Sequence, residues 1–356
     1  MKREWMIYGA NGYTGELIAR EAARRGLAPV LAGRSEDRIA PLAHELGLLH
    51  RSFRLGDPAA VCEGIAGMAL VLNCAGPFSA TARPMIEACL ESGAHYLDVT
   101  GEIPVFELAH ELDERARRAG ILLCPGVGFD VVPTDCLAAA LKEALPDATR
   151  LALGFDSRGG MSPGTARTSV EGLAQGGRIR REGRIISVPL AWRTRRIDFG
   201  DGEKLAMTIP WGDVSTAWHS TGIQDIEVYL PASPKLVARF KRLNWIRPLL
   251  GLGPVQSWLK KRVGQTVRGP REEQRAKTPT FVWGEVGNAA GQCVTGRIRV
   301  ANGYDFTVHA SLGMVERVLE MTRVGGHRTP AQLVGRDFVE RLPGSGAIST
   351  EAVGAG

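Results

Sequence analysis

The stretch MIYGANGYTGELIAREAARRG, Met6 to Gly26, sets three glycines three residues apart where an apolar run gives way to a helical pattern. Gly9, Gly12 and Gly15 carry no side chain, so the backbone can bend tightly there, approach an anion and pack helix on strand. The helix start that follows presents N–H groups without intrahelical acceptors, which suits a diphosphate. The spacing is G-x-x-G-x-x-G rather than G-x-G-x-x-G, a weak signal in isolation. Its place after the first strand of an alternating pattern gives it force. Asn11, Tyr13 and Thr14 are expected to line the phosphates, and a plain glycine-rich turn is the alternative.

Outward from that turn, Trp5 to Gly9, Pro29 to Ala32, Leu70 to Ala75, Tyr96 to Val99 and Ile121 to Cys124 read as strands. Gly15 to Arg25, Glu36 to Leu46, Ala82 to Ser92 and Ile103 to Arg118 read as helices, and Arg51 to Leu55 as a further short strand. Such alternation predicts an α/β domain, a parallel sheet with helices on both faces. After PGVGFDVVPTDCLAAALKEAL, Pro125 to Leu145, longer alternating segments take over: Ala152 to Asp156, Ile223 to Leu230, Phe281 to Val286, Thr295 to Val300 and Asp305 to Ala310. They predict an α+β domain with a mixed sheet. A helix over Gly313 to Val324 follows, and GSGAISTEAVGAG, Gly344 to Gly356, reads as a loose tail.

Composition narrows the class. The 356 residues allow about two domains. With 44% hydrophobic and 23% charged residues, the chain is neither disordered nor fibrous. A net charge of +6 is too small for this length to argue nucleic-acid binding. The six cysteines form no C-x-x-C pair and sit mostly in apolar runs, where a reduced thiol behaves as a small hydrophobe. No metal-ligand spacing is evident. Met1 to Trp5 runs straight into an apolar strand, so the expected location is cytoplasmic, with peripheral membrane attachment left open.

At the end of the second strand, a carboxylate would favour NAD by accepting from the ribose hydroxyls. This sequence instead has AGRS, Ala32 to Ser35. Arg34 can fork onto a 2′-phosphate and Ser35 can add a hydroxyl, which favours NADP(H), although Arg34 as a solvated side chain and Ser35 as a helix cap are the structural alternatives. In an open parallel sheet the nicotinamide lies over the carboxyl ends of the strands. The loops expected there are NCAGPFS (Asn73 to Ser79), YLDVTGE (Tyr96 to Glu102) and PGVGFDVVPTD (Pro125 to Asp135).

GANGYTG, AGRS, LNCAGPF, YLDVTGE and GVGFDVVPTD, in that order and spacing, resemble the saccharopine dehydrogenase-like (saccharopine reductase) oxidoreductases. DFGDG (Asp198 to Gly202), PWGD (Pro210 to Asp213) and STGIQDIEVY (Ser220 to Tyr229) are similar to the trans-acting enoyl reductase branch. The resemblance spans roughly residues 5 to 340 and is looser for the substrate than for the cofactor. It implies a Rossmann-like NADP-binding domain over 1–133, with 313–342 packing back on it. Behind it come a substrate and dimerisation domain over 134–312, which allows a homodimer, and a flexible tail over 343–356.

Reduction of a polarised double bond needs a hydride and a proton delivered where negative charge collects. The candidate acids are Asp98, Glu102 and Asp130, with Tyr96 as the non-carboxyl option. Each has a structural alternative: Asp98 tying loops, Glu102 or Thr100 capping a helix, Asp130 accepting backbone N–H bonds. Asn73, Ala75, Gly76, Pro77 and Phe78 are expected to shape the nicotinamide pocket. His95 and His219 are read as core or surface residues first.

The second domain lacks an evident converging set of Arg and Lys for a polycarboxylate. Its TIPWGDVSTAWHSTGI and KLVARFKRLNWIRPLLGLGPVQSWLKKRV segments suit a hydrophobic lipid or polyketide-like substrate better. An NADP-binding sensor or scaffold, and an amino-acid or imine reductase, are the competing readings. Residues 235–263 combine Lys235, Arg239, Lys241, Arg242, Arg247, Lys260, Lys261 and Arg262 with Trp245 and Trp258, and contain no acid. That composition fits either a membrane interface or a lid or dimer helix. Arg178 to Arg196 reads as a solvated basic rim.

Overall fold

The computed structural model describes residues 4–158, 160, 166, 170, 172–266, 272–322 and 324–353. Met1 to Arg3 and residues 354–356 of the expected tail therefore lie outside the described residues, as do the side chains of Lys260 and Val263 in the basic segment. Two compact units divide the chain: Met1–Val132 with Tyr304–Val334, and Pro133–Gly303 with Gly335–Gly356.

The first unit opens with β1 (Trp5–Tyr8), α1 (Tyr13–Arg24), β2 (Val30–Gly33), α2 (Glu36–Leu46), β3 (His50–Ser52) and α3 (Pro58–Ile65). It continues through β4 (Leu70–Asn73), α4 (Phe78–Ser92), β5 (His95–Asp98), α5 (Ile103–Glu111), α6 (Asp113–Ala119) and β6 (Leu122–Cys124). Helix α7 (Val132–Ala144) leads into β7 (Arg150–Asp156), β8 (Gly177–Arg181), β9 (Arg184–Val188), β10 (Thr194–Asp198) and β11 (Glu203–Thr208). Then come α8 (Asp213–Thr221), β12 (Asp225–Pro231), α9 (Pro234–Leu250), α10 (Gly253–Thr266), α11 (Glu272–Lys277), β13 (Thr280–Gly287) and β14 (Cys293–Val300). The chain returns to the first unit with α12 (Gly303–Glu320), β15 (Gly326–His327) and α13 (Pro330–Val334), and ends with β16 (Ser349–Val353) in the second.

The first sheet has the order β15-β6-β5-β4-β1-β2-β3, with every pairing parallel. β1, β2 and β4 are buried at every residue, as strands covered on both faces must be. Met6, Tyr8, Val71, Tyr96 and Leu123 point to one face, where Val61, Ile65, Met85, Ile86 and Val105 of the helices meet them. The connection direction reverses beside β1, between β2 and β4, so a crevice opens at their carboxyl ends.

The second sheet runs β10-β11-β12-β7-β13-β14-β16, with the β8–β9 hairpin joined to β12. It is mixed: β7 and β12 pair in parallel while the other pairings are antiparallel. Helix α7 lays Leu137 and Leu141 onto this sheet where Gly284 and Gly296 leave room. A Cβ on Gly284 would stand 2.6 Å from Leu141, and one on Gly296 would stand 2.9 Å from Leu137.

Four expectations are corrected. Asp305 to Ala310 is not a strand but the start of α12, which runs unbroken from Gly303 to Glu320 and so begins ten residues before the expected Gly313. Phe306, Thr307, Val308, Ala310, Ser311 and Leu312 are all buried, and a helix enclosed on nearly every side loses the one-sided period that identifies it in sequence. Gly344 to Gly356 is not wholly loose, because Ser349–Val353 pairs with Cys293–Arg297 of β14. Nothing local in SGAISTEAV announces a strand; the open edge of β14 decides it. Arg178 to Arg196 is a solvated rim only in part, with Arg184, Arg193 and Arg196 exposed. It supplies β8, β9 and part of β10, and within it Arg180 is buried, donates from Nε to the Val214 carbonyl (2.6 Å) and stacks over Trp218 at 5.1 Å. The helix expected over Ile103 to Arg118 is two helices that break at Leu112.

Candidate active site

The phosphate turn follows directly from the three glycines. Gly9 has φ of +82°, a left-handed conformation that favours glycine. A Cβ there would stand 2.8 Å from the Ala75 nitrogen, so Gly9 also lets the β4–α4 loop close onto the turn. At Gly15 a Cβ would collide with the Gly9 carbonyl oxygen and lie 3.0 Å from the Ala10 Cα, both backbone groups that cannot swing aside. The Gly12 N–H donates to Gly9 O (2.9 Å), and the Ala32 carbonyl accepts from Gly9 N–H (2.7 Å) and Ala10 N–H (3.1 Å). The turn is thus fixed against the end of β2. No side chain caps α1, whose N-cap is Gly12, so its first-turn N–H groups face outward with their partial positive charge. An uncapped helix start of this kind, beside Asn11 and Thr14, is chemically suited to a diphosphate. Tyr13 sits edge-on to Tyr304 with ring centroids 4.9 Å apart, which joins the turn to the start of α12.

The end of β2 carries an exposed cation. Gly33 lies against Asn11, whose Oδ1 would be 3.1 Å from a Cβ at that position. Arg34 is exposed, and the neighbouring carboxylate of Glu36 is already engaged by His50 at 2.6 Å. Ser35 occupies the N-cap position of α2 but makes no side-chain cap bond, which leaves its hydroxyl for a ligand. The Phe53 N–H donates to Gly33 O (3.0 Å), which brings the exposed Arg54 to the same end of the sheet. Sequence reasoning did not single out Arg54, whose only signal is its place just past the third strand.

The loops at the carboxyl ends of β4, β5 and β6 are tied together by polar bonds. Asn73 is fully buried; its Oδ1 accepts from Ala75 N–H (3.1 Å) and its Nδ2 donates to Thr81 Oγ1 (3.3 Å) and Tyr96 Oη (3.4 Å). Thr81 Oγ1 donates to the Ala75 carbonyl (2.6 Å). A cis Gly76–Pro77 bond shapes the segment ahead of Phe78. Asn73 is buried, Ala75, Pro77 and Phe78 are half-buried and Gly76 is exposed, so the hydrogen bonds of Asn73 and Thr81 are what hold this loop.

The four candidate acids separate clearly. The Tyr96 hydroxyl donates to Asp98 Oδ2 (2.7 Å), while Asp98 Oδ1 accepts from the N–H groups of Thr100 (3.0 Å) and Gly126 (2.8 Å). Both Tyr96 and Asp98 are wholly buried, and burial pushes the Asp98 carboxyl up to about 6, against the pull of its hydrogen bonds. Burial likewise raises the Tyr96 phenol well above its usual value. This pair locks the β5 and β6 loops to each other. Glu102 holds a helix: its Oε1 and Oε2 accept from the N–H groups of Phe78 (2.9 Å) and Ser79 (2.7 Å), the otherwise unserved first turn of α4.

Asp130 differs from the other carboxyls. It is partly exposed, yet burial first and the negative charge of Glu102 second push its carboxyl up to about 7. Gly101 makes room for it, since a Cβ there would be 2.8 Å from Asp130 Oδ2. Its loop is anchored from far along the chain: the Phe129 N–H donates to Thr307 Oγ1 (2.9 Å), Gly128 abuts the Thr307 side chain, and Phe129 packs edge-on to Phe306 at 6.1 Å. Gly101, Tyr304 and Thr307 were missed by sequence reasoning. Gly101 stood in plain view within VTGE, whereas no local signal points from α12 to a loop nearly two hundred residues earlier. His95 is structural, its Nδ1 accepting from Leu122 N–H (3.0 Å), and His219 lies on α8 of the second unit.

Residues 5–124 match the family model of the saccharopine dehydrogenase NADP-binding domain. A saccharopine dehydrogenase-like oxidoreductase of Rattus norvegicus is 31% identical over 150 residues, which are 36% of this chain and 35% of that protein. A protein of Mycobacterium tuberculosis named as a trans-acting enoyl reductase is 31% identical over 187 residues, 48% of this chain and 44% of its own. The chain thus spans between about a third and under half of the length of the curated relatives it matches. Among solved structures, the histidine-tagged apo saccharopine dehydrogenase (L-Glu forming) of Saccharomyces cerevisiae aligns over 99% of this chain and 100% of its own, with a TM-score of 0.67 at 11% identity, and so shares the fold. Glycine turn, strand order and family model thus agree over residues 5–124, which are similar to a saccharopine dehydrogenase NADP-binding domain.

Proposed function

We propose that the chain is an NADPH-dependent reductase acting on an unsaturated (enoyl) or carbonyl group of a hydrophobic, lipid-like or polyketide-like substrate. One observation carries this reading. At the carboxyl ends of a nucleotide-binding sheet, a partly exposed carboxyl with a pKa near 7 stands at the same end of the sheet as the phosphate cradle.

When bound, NADPH supplies a hydride. The α1 amides and Arg34 would hold its two anionic ends, and the Asn73 to Phe78 loop would wall the nicotinamide. Asp130 would hold the proton that the α carbon of an enoyl group, or the oxygen of a carbonyl, takes up on reduction. It is recharged from solvent through its exposed side. Tyr96, Asp98 and Glu102 keep the three loops in register. The apolar content of the second unit, and the likeness to a protein named as an enoyl reductase, support the substrate class.

The test is NADPH oxidation with a panel of long-chain enoyl thioesters and ketones, with reduced product identified by mass spectrometry. Stoichiometric consumption is expected. Tight NADPH binding with no turnover on any member would favour a sensor or scaffold, and selective binding of a dicarboxylate would favour an amino-acid or imine reductase.

A further inference from the structure

Helix α9 of the second unit is apolar on two opposite sides, and only one side has a core to meet. On its inner side Val237 is buried and Phe240 half-buried against Ala191, Met207 and Ala232, and Asn244 clamps Leu190, accepting its N–H at 2.8 Å and donating to its carbonyl at 3.1 Å. The spacing 237, 240, 244 is one helical stripe. The opposite side is where a helix of this kind carries polar residues, yet here Trp245 is 90% exposed, Leu249 58% and Ile246 46%. Leu252 (52%) and Trp258 on α10 (56%) extend the apolar surface.

Charge surrounds it with one sign. Lys235, Arg239, Lys241 and Arg242 on α9 and Lys261 and Arg262 on α10 are exposed, and Arg262 stacks over the Trp258 ring at 5.4 Å. No Asp or Glu occurs from 232 to 271, although the whole chain is only +6. None of these four exposed cations of α9 pairs with a carboxylate of a described residue.

We infer that this face docks on the surface of a bilayer containing anionic lipid. Such a surface offers both complements at once: anionic headgroups for the Lys and Arg, and an acyl boundary into which Trp245, Leu249 and Ile246 can sink with the indole at headgroup depth. A second copy of this chain is a poor occupant, since a two-fold contact would set one acid-free basic patch against another. No helix of the described residues is long and apolar enough to cross a membrane, so the contact is peripheral. The inference is independent of the proposed chemistry, because α9 and α10 belong to the second unit and not to the cofactor domain.

The full chain is sedimented with vesicles of phosphatidylcholine alone and of phosphatidylcholine with phosphatidylglycerol, at low and high salt. Binding to the anionic vesicles that weakens with salt is expected. Lys241→Glu with Arg242→Glu should weaken it by about fivefold or more per residue, and Trp245→Ser with Leu249→Ser by roughly tenfold or more. All four side chains are exposed, and an unchanged melting temperature and NADPH affinity confirm that the variants fold. Fluorescence quenching by lipid-borne nitroxide should be greater in the native chain than in Trp245→Phe. Equal binding to both vesicle types, no binding, variants that bind like the native chain, or a native dimer that the same variants turn into monomers would each overturn the inference.

Discussion

Glu102→Gln separates a helix cap from a proton donor. The native carboxylate accepts two N–H bonds, from Phe78 at 2.9 Å and Ser79 at 2.7 Å, at the positive end of α4. A glutamine keeps one oxygen, turns an NH₂ toward the other amide and removes the charge. A lost charge-assisted bond is worth about 1.5–3 kcal/mol and a first-turn charge about 0.3–1 kcal/mol; because Ser79 is solvent-exposed, the low end applies, near 2 kcal/mol. For a unit of this size that lowers the melting temperature by about 4–8 °C. Thermal unfolding followed by circular dichroism measures the shift, and steady-state NADPH oxidation measures turnover on the same sample. The expected result is a lower melting temperature with kcat retained within a few-fold. A variant with unchanged melting temperature and turnover reduced a hundredfold would refute the assignment and make Glu102 the acid, while a variant unchanged in both would show that the cap contributes nothing.

Asp130→Asn should lower kcat by roughly 10²- to 10⁴-fold while NADPH affinity, measured by calorimetry, stays the same. In the native chain the rate should fall as pH rises above about 7, where Asp130 loses its proton, and this alkaline limb should vanish from the variant's residual activity. The stability sign follows: a folded pKa raised above the ordinary 3.8 means that the contribution is full at low pH and is lost as pH rises toward about 7, so chemical unfolding of Asp130→Asn should show a flatter pH profile over that window. Arg34→Ala should weaken NADPH binding by roughly tenfold and leave NADH unchanged, as judged by competitive titration; equal losses for both would remove Arg34 from the 2′-phosphate. Gly15→Ala drives a methyl into the Gly9 carbonyl and should abolish measurable NADPH binding with about 1–3 kcal/mol lost from stability, and normal binding would disprove the cradle.

Local chemistry made the cofactor domain legible. Strand β1 runs into a glycine turn with no alternative reading of comparable strength, and α2 spans Glu36–Leu46 as expected, Pro41 included. The candidate acids were found because they lie beside strand ends, but their roles were not, since role depends on which amide or hydroxyl each oxygen meets. Asp98 and Glu102 look alike in sequence; one ties Tyr96 to Gly126, the other serves the amides of α4. What escaped altogether depends on distant pairing. Ser349–Val353 is a strand because β14 offers an edge, the basic run from Arg178 is a hairpin because β12 receives it, and Thr307 meets Phe129 across 178 positions.

The parallel order of the first sheet ends with β15, two residues, Gly326 and His327, laid beside β6. Those residues, and α12 before them, follow residues 133–302 of the second unit in the chain. Without them β6 has one bare side and the Phe129 loop lacks its clasp. Some 170 residues, the length from Pro133 to Gly303, separate the two parts of this sheet in sequence, so its last pairing closes a long loop and is expected to form slowly.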